Sequence, residues 1–422
     1  MSDEGNAGLD GDSFTEVTSK SWFERIRESL MAILIGIVLV VVSTGLLFWN
    51  EGRSAKTSAA LSEGAAAVVA VATERVDPER EGTLVHIAGD IRVGTAVRDA
   101  DFGFDANALR LNRKVEMLQW REEVHSETQK KLGGGEETVT RYSYHKDWSD
   151  HAVDSSGFRR AADHRNPPMP SVSSHSFYPT DVKLGGFRLS DRIIQMLSGG
   201  EKYAVPDTIQ PFAVGRFGQN ARVLQGEVYV GINPDQPTIG DVRISWQILP
   251  IAPMSVVGRQ TQGSITPWLA SNGSEVLLVE SGIADADLMF KHGQDSNSIL
   301  TWALRLGGVL IMFVGFRVMF SLLSVLADVV PLFGNIVAAG TALVALLCTM
   351  VIAPIVIAIA WFFYRPLVGI AVLVVGGVVV YGLHQLMRKR VAKKARQASG
   401  LADRSGLDRP GPDSGASLPS PG

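Results

Sequence analysis

The chain has one cysteine, Cys348, in 422 residues. That excludes a disulfide framework and a zinc centre built on cysteines. The net charge is only −3, from 40 basic and 43 acidic residues, which excludes a globally basic nucleic-acid binder. Several catalytic signatures are missing as well. There is no P-loop, no G-x-G-x-x-G after a strand and no G-x-S-x-G elbow, and no H-E-x-x-H or H-x-H occurs among the 8 histidines. No fixed-period repeat is found. What the chain does have is apolar sequence in unequal shares. It is 46% hydrophobic with a mean hydropathy of +0.14, although much of its middle is polar loop, so some segments must be strongly apolar.

The first such segment, Leu30–Trp49, carries no charge. As a helix it is about 30 Å long, the thickness of a bilayer core. Lys20, Arg25 and Arg27 precede it, as they would in a signal peptide. However, the run exceeds the ~7–15 residues of a signal-peptide core and no small-x-small site closes it, so a retained anchor is expected. The Ala-rich, Pro-free stretch 55–73 should carry this helix out of the bilayer to brace the next domain. A second span is expected over Ile299–Phe316, interrupted only by Arg305, and a third over Ile336–Tyr364, with Pro354 inside it. A fourth is expected over Pro366–Leu386.

The third and fourth spans should form a tight hairpin. Trp361, Phe362, Phe363 and Tyr364 suit the headgroup level, Arg365 suits the negative end of a helix, and Pro366 suits a first helical turn. Basic residues set the expected topology. Arg388, Lys389, Arg390, Lys393 and Lys394 follow the last span and mark a cytoplasmic, headgroup-facing tail. With four spans the N-terminus is cytoplasmic too.

The expected fold is therefore a four-span helical membrane anchor plus a β-rich α+β extracytoplasmic domain inserted between the first and second spans. Residues 1–20 form a disordered cytoplasmic tail, and 21–75 hold the first helix and its extension. The outer domain covers 76–298. Residues 299–390 hold three further helices, with an interfacial segment near 317–334, and 391–422 form a basic, then disordered tail.

Within the outer domain, period-two patterns predict strands at 83–94, 221–231, 240–249, 254–262 and 274–280. The clearest hairpin pairs 114–124 with 137–148. Tyr142, Tyr144 and Trp148 share one face of it, and Gly133, Gly134 and Gly135 supply its turn. A short helix is expected at 190–197, opened by Ser190.

SWFERI and NEGR (21–26 and 50–53), EGTLVHIAGDIR (81–92), KVEMLQW (114–120), TRYSYHKDW (140–148), GDVRISW (240–246), SNSILTWALR (296–305) and WFFYRPL (361–367) form an ordered series. The series resembles the transmembrane protein 43 family, also called LUMA, from residue 21 to about 390. The resemblance implies a four-span membrane protein with one large domain after the first span and no catalytic residues or cofactor to carry over. It also implies scaffold-like roles, which eukaryotic members have in the endoplasmic reticulum and inner nuclear membrane among membrane and lamina partners. Spans rich in Ala, Gly and Val, with the low-complexity tail, point to a bacterial relative in a cell membrane.

Three constellations are candidates for chemistry or contact. His145, Asp147, Asp150, His151, Asp154, Asp163 and His164 could gather for a metal or an acid–base pair, or could be a solvated strand end and loop, which the spacing favours. Arg317, Ser321, Ser324 and Asp328 share one helix face and could line an ion path, or could lie on an interfacial helix, the favoured alternative. Arg305 is expected to snorkel outward. The glycine pairs Gly308/Gly315 and Gly369/Gly376, with Ala32/Gly36, each let a neighbouring backbone approach. The expected partners are membrane lipids and membrane or extracytoplasmic proteins, with a homo-oligomer as one option, and no cofactor or nucleic acid. The functional expectation is a non-enzymatic membrane scaffold. An extracytoplasmic hydrolase or binding protein at 145–164, and a channel or transporter, are the alternatives.

Overall fold

The computed structural model describes residues 13–365. Helix α1 (Trp22–Ala67) runs unbroken for 46 residues, about 70 Å. Ser21 caps it, its side chain accepting from the Glu24 N–H, and Glu24 complements the positive end of the helix. Two short helices follow in the β-rich region, α2 (Asp191–Met196) and α3 (Gln210–Phe217). Then come α4 (Ala286–Met319), α5 (Ser321–Ala327) and α6 (Pro331–Tyr364). Residues up to Pro354 belong to one compact unit, and the end of α6 belongs to a second.

Three helical stretches, Trp22–Ala67, Ala286–Ala327 and Leu332–Tyr364, are long and apolar enough to cross a membrane. Their surfaces agree with their composition. On α1, Leu34, Val38 and Val41 are each at least 58% exposed, an arrangement suited to lipid rather than water. The expected fourth span, Pro366–Leu386, lies outside the described residues, as do Gly369, Gly376, Arg388, Lys389, Arg390, Lys393 and Lys394.

Helices α1 and α4 lie antiparallel along most of their length, and glycine sets how closely they approach. A Cβ on Gly36 would sit 2.6 Å from the Gly315 carbonyl oxygen, and one on Gly308 would sit 2.7 Å from Leu47. Gly308 and Gly315 thus face α1 in the same chain, so this contact is intramolecular.

The β-rich region forms two eight-stranded sheets. One is ordered Ser13–Lys20, Glu136–Ser149, Arg110–Lys130, Val242–Leu249, Glu227–Val230, Ala221–Leu224. The other centres on Leu84–Gly89 and Met254–Thr261, paired antiparallel from Met254↔Gly89 to Arg259↔Leu84. Trp246, Phe102, Leu111 and Ile244 fill the core of the first sheet. Val85, Ile87, Phe187 and Val256 fill that of the second, with Ile193 and Ile194 supplied by α2. A third cluster joins Ala60 and Leu61 of α1 and Met289 and Phe290 of α4 to Leu84 and Val257. The helix pair is therefore welded to the second sheet.

The hairpin expected at 114–124 and 137–148 is longer than its alternation indicates: Arg110–Lys130 pairs with Glu136–Ser149, from Met117↔Ser149 to Lys130↔Glu136. Gly133 and Gly134 take positive φ at its turn (+90° and +82°), which glycine adopts without strain. One expectation needs correcting. The tail set at 1–20 is a strand over Ser13–Lys20, antiparallel to Glu136–Ser149 from Ser13↔Ser143 to Lys20↔Glu136. Phe14 holds it, its ring 6.1 Å from Tyr142, with the Arg160 guanidinium 5.4 Å above it.

Candidate functional site: a polar clasp and a charged junction

Two polar assemblies stand at opposite ends of the apolar stretch of α1. The first lies where that stretch stops. Asn50, Arg53 and Ser54 follow Trp49 on one helical face, and Asn297, Thr301 and Arg305 recur every four residues on α4. The antiparallel packing brings the two faces together. The Asn50 amide donates to the Thr301 carbonyl (3.1 Å), and Asn297 donates to the Ser54 carbonyl (3.1 Å). Arg53 donates to Asn297 Oδ1 (3.0 Å) and Thr301 Oγ1 (2.9 Å). Arg305 grips Glu51 with two bonds, at 2.6 and 2.8 Å, while Glu51 is only 3% exposed. Asn50–Arg53 and 296–305, segments 250 residues apart, thus form one clasp. Arg305 does not snorkel outward as expected; the buried Glu51 carboxylate draws it inward, where a two-pronged charged bond replaces lost hydration.

The second assembly is a junction at the start of α1. Asp328, fully buried after α5, accepts from Arg25 (2.5 Å) and from Lys130 at the hairpin tip (2.7 Å). Arg25 also reaches Glu136 (3.0 Å) and the Gly134 carbonyl (2.6 Å). The Trp22 indole donates to the Val325 carbonyl (2.9 Å), and its ring occupies the space a Cβ on Gly134 would need. The Gly133 N–H donates to the Val329 carbonyl (3.1 Å). The N-terminal end of α1, the hairpin tip and the segment after α5 are thereby locked together.

This disposes of the polar stripe as a unit. Arg317 caps the Ala338 carbonyl (2.8 Å), Ser321 bonds back to Val318 and Ser324 reaches the Gly334 carbonyl (3.3 Å). These contacts tie α4 and α5 to the start of α6, and Asp328 turns the other way, into the junction. The four groups serve separate local bonds and do not present one polar face to a lumen.

The His/Asp constellation is dispersed. His164 is buried between rings, stacked on Tyr144 (3.8 Å) and edge-on to Trp120 (4.7 Å). Asp147 pairs with Arg121 at 3.0 Å, and His151 pairs with Asp150 at 2.8 Å on the surface. Among the described residues no three His, Cys, Asp or Glu side chains gather as metal ligands. Nearby, burial and a hydrogen bond to Glu122 push the Tyr144 phenol up to about 12. Burial also pushes the Glu116 carboxyl up, but bonds from Arg243 and Lys114 outweigh it and hold the group below its ordinary value. At the end of α6, Phe362, Phe363 and Tyr364 are exposed, and the Arg365 N–H closes the last turn on the Trp361 carbonyl (2.7 Å).

The arrangement described so far binds helix to helix and helix to hairpin. A family model for Transmembrane protein 43 matches residues 117–366, more than half of the chain. The chain belongs to the transmembrane protein 43 family. Transmembrane protein 43 of Mus musculus is 31% identical over 367 residues, covering 83% of this chain and 90% of the mouse protein. The Homo sapiens protein is 31% identical over 358 residues, covering 82% and 88%. The Transmembrane protein 43 homolog of Drosophila melanogaster is 28% identical over 364 residues, covering 84% and 94%. No solved structure matches the chain. As a transmembrane protein 43 family member it is a membrane protein, in agreement with its three long apolar helices. The clasp and the junction were not visible as sites in the sequence. Their only signals were charges flanking apolar runs: Glu51 and Arg305 at one end, Arg25 and Asp328 at the other.

Proposed function

We propose that this chain is a non-enzymatic, multi-pass membrane organiser that holds a β-rich body at fixed height and orientation over the bilayer. In this reading it has four spans, both termini are cytoplasmic and the β-rich body is outside. The membrane is the cell membrane in a bacterium, or the endoplasmic reticulum or inner nuclear membrane in a eukaryote. Its partners are lipid headgroups and membrane or extracytoplasmic proteins, with copies of itself among the options.

The observation that carries this reading is the weld between anchor and body. Helix α1 leaves its apolar stretch through the clasp and runs unbroken into the cluster of Leu61, Phe290, Leu84 and Val257. The charged groups at both ends of that stretch are occupied with one another, as suits a strut. Purification of the full chain in lipid nanodiscs, followed by cross-linking and mass spectrometry, tests the reading. Stoichiometric assemblies are expected. A clean monomer that captures nothing from its native membrane refutes it.

A further inference from the structure

Helix α1 and the long hairpin connect the same two places. Both have one end at the charged junction, where Arg25 meets Gly134 and Glu136. At the other end both enter the β-rich body, α1 through Ala60 and Leu61 and the hairpin through Val115 and Met117. Between Arg25 and Ala60 the helix covers about 50 Å, and between Lys130 and Val115 the strand covers a similar distance. The hairpin therefore runs beside the helix pair at the depth of Leu30–Trp49. Its surface there is mainly polar: Glu123, His125, Glu127, Gln129 and Arg141 are exposed, with Val124 the one exposed apolar side chain among them. A ribbon of this kind does not lie in hydrocarbon. If α1 and α4 span the bilayer, the ribbon must face water at that depth, and the described residues of one chain supply nothing with which to enclose that water.

The ribbon also has two open edges. Leu118 and Trp120 use their outward backbone groups on the Asp241 carbonyl and on Asn166. The same alternation points the backbone groups of Glu122, Val124, Ser126 and Thr128 outward, where no strand pairs with them among the described residues. On the far side, Ser13–Lys20 is the outermost strand of its sheet among the described residues, with Val17 59% exposed. The two edges run parallel, are similar in length and lie on opposite sides of one ribbon. An edge of this kind is a template for another strand, and a pair of unlike edges joins copies head to tail.

We infer that copies of this chain join edge to edge, Ser13–Lys20 of one against 122–130 of the next. They form a closed ring whose polar ribbons line a water-filled interior and whose apolar helices face lipid. The inference deepens the organiser reading and rests on α1 and α4 being spans. It also explains how a hairpin that starts in the outer body can end beside the N-terminus.

The test uses the full chain with Cys348→Ala, in lipid nanodiscs, carrying single cysteines from Ser126→Cys, Arg141→Cys or Val41→Cys. The probe is a membrane-impermeant maleimide, and particle mass is measured in parallel. Expected are rapid labelling at 126 and 141, protection at 41 and a multi-copy mass. Val124→Pro removes one outward N–H that no strand among the described residues uses, so it should reduce the mass toward a single copy while the hairpin keeps its fold. As a second variant, Val17→Lys places a charge beside the partner edge and should also shift the mass. A single-copy mass with 41 protected overturns the ring and leaves the spans standing. Labelling at 41 overturns the spans themselves. Protection at 126 and 141 overturns the water-filled interior.

Discussion

Replacement of Arg305 by leucine is the sharpest test of the clasp. Arg305 makes two bonds to Glu51, at 2.6 and 2.8 Å, and the side chains are 15% and 3% exposed. Arg305→Leu keeps much of the apolar stem but removes both donors from a nearly dry carboxylate. Loss of one partner from a buried pair costs about 3–5 kcal/mol, and the low end applies because Arg305 retains some solvent. A destabilisation of about 3 kcal/mol is expected, roughly a hundredfold in the folding equilibrium. Glu51→Leu should cost less, because the Arg305 guanidinium keeps its place over the Trp302 ring, 4.7 Å from its centroid. The double variant Glu51→Leu/Arg305→Leu should cost much less than the sum, because a matched apolar pair replaces a matched charged pair. Equilibrium unfolding in mixed detergent–SDS micelles, followed by tryptophan fluorescence, measures all three. Additive single-variant costs, with coupling near zero, would refute the claim that the pair holds the helices in register.

Other outcomes follow from the same geometry. Gly36→Leu should push α1 from α4, since even a Cβ there lies 2.6 Å from the Gly315 carbonyl and from Met319 Cγ; cysteine cross-linking between the two helices should weaken. Asp328→Asn removes the charge that Arg25 and Lys130 share and leaves Glu136 to hold Arg25, so protease cleavage at the hairpin tip should accelerate. Trp246→Ala opens a cavity in the first sheet's core and strips Asp99 of an indole donor at 3.0 Å, at a cost of about 3–5 kcal/mol in denaturant unfolding. The Tyr144 phenol has its folded value raised to about 12, so its contribution is fully present below the ordinary tyrosine value of about 10. That contribution is lost as pH rises toward 12, and Tyr144→Phe should remove that slope from a thermal-unfolding series. Glu116 has the opposite sign: its depressed value makes it stabilising above the ordinary carboxylate range and lost as pH falls through the folded value.

Local features were legible in the sequence and long-range pairings were not. The three helices follow from apolar runs with at most one charge, Arg305, and the hairpin follows from alternation meeting Gly133 and Gly134. Ser13–Lys20 was missed because its partner lies more than a hundred residues away and its side chains are mixed, with only Phe14 supplying a large apolar contact. The stripe from Arg317 to Asp328 is a real periodicity. Periodicity, however, names the face of a helix and says nothing of what lies opposite, and Asp328 turned out to face Arg25 and Lys130. Arg305 shows the same limit: a lone arginine at the end of a span reads as headgroup-facing until the Glu51 carboxylate is placed beside it.

The unbroken course of α1 has a mechanical consequence. Trp22–Ala67 contains no proline, so it can tilt, slide or roll but has no built-in hinge to absorb the motion. With α1 as a span, as proposed above, tilting that fits the apolar stretch to a thinner bilayer also carries Leu61 and Phe290 sideways, and with them Leu84. At the far end the same tilt loads the Arg25–Asp328 bond. Bilayer thickness and the posture of the β-rich body are thus one variable, read at both ends of a single rod.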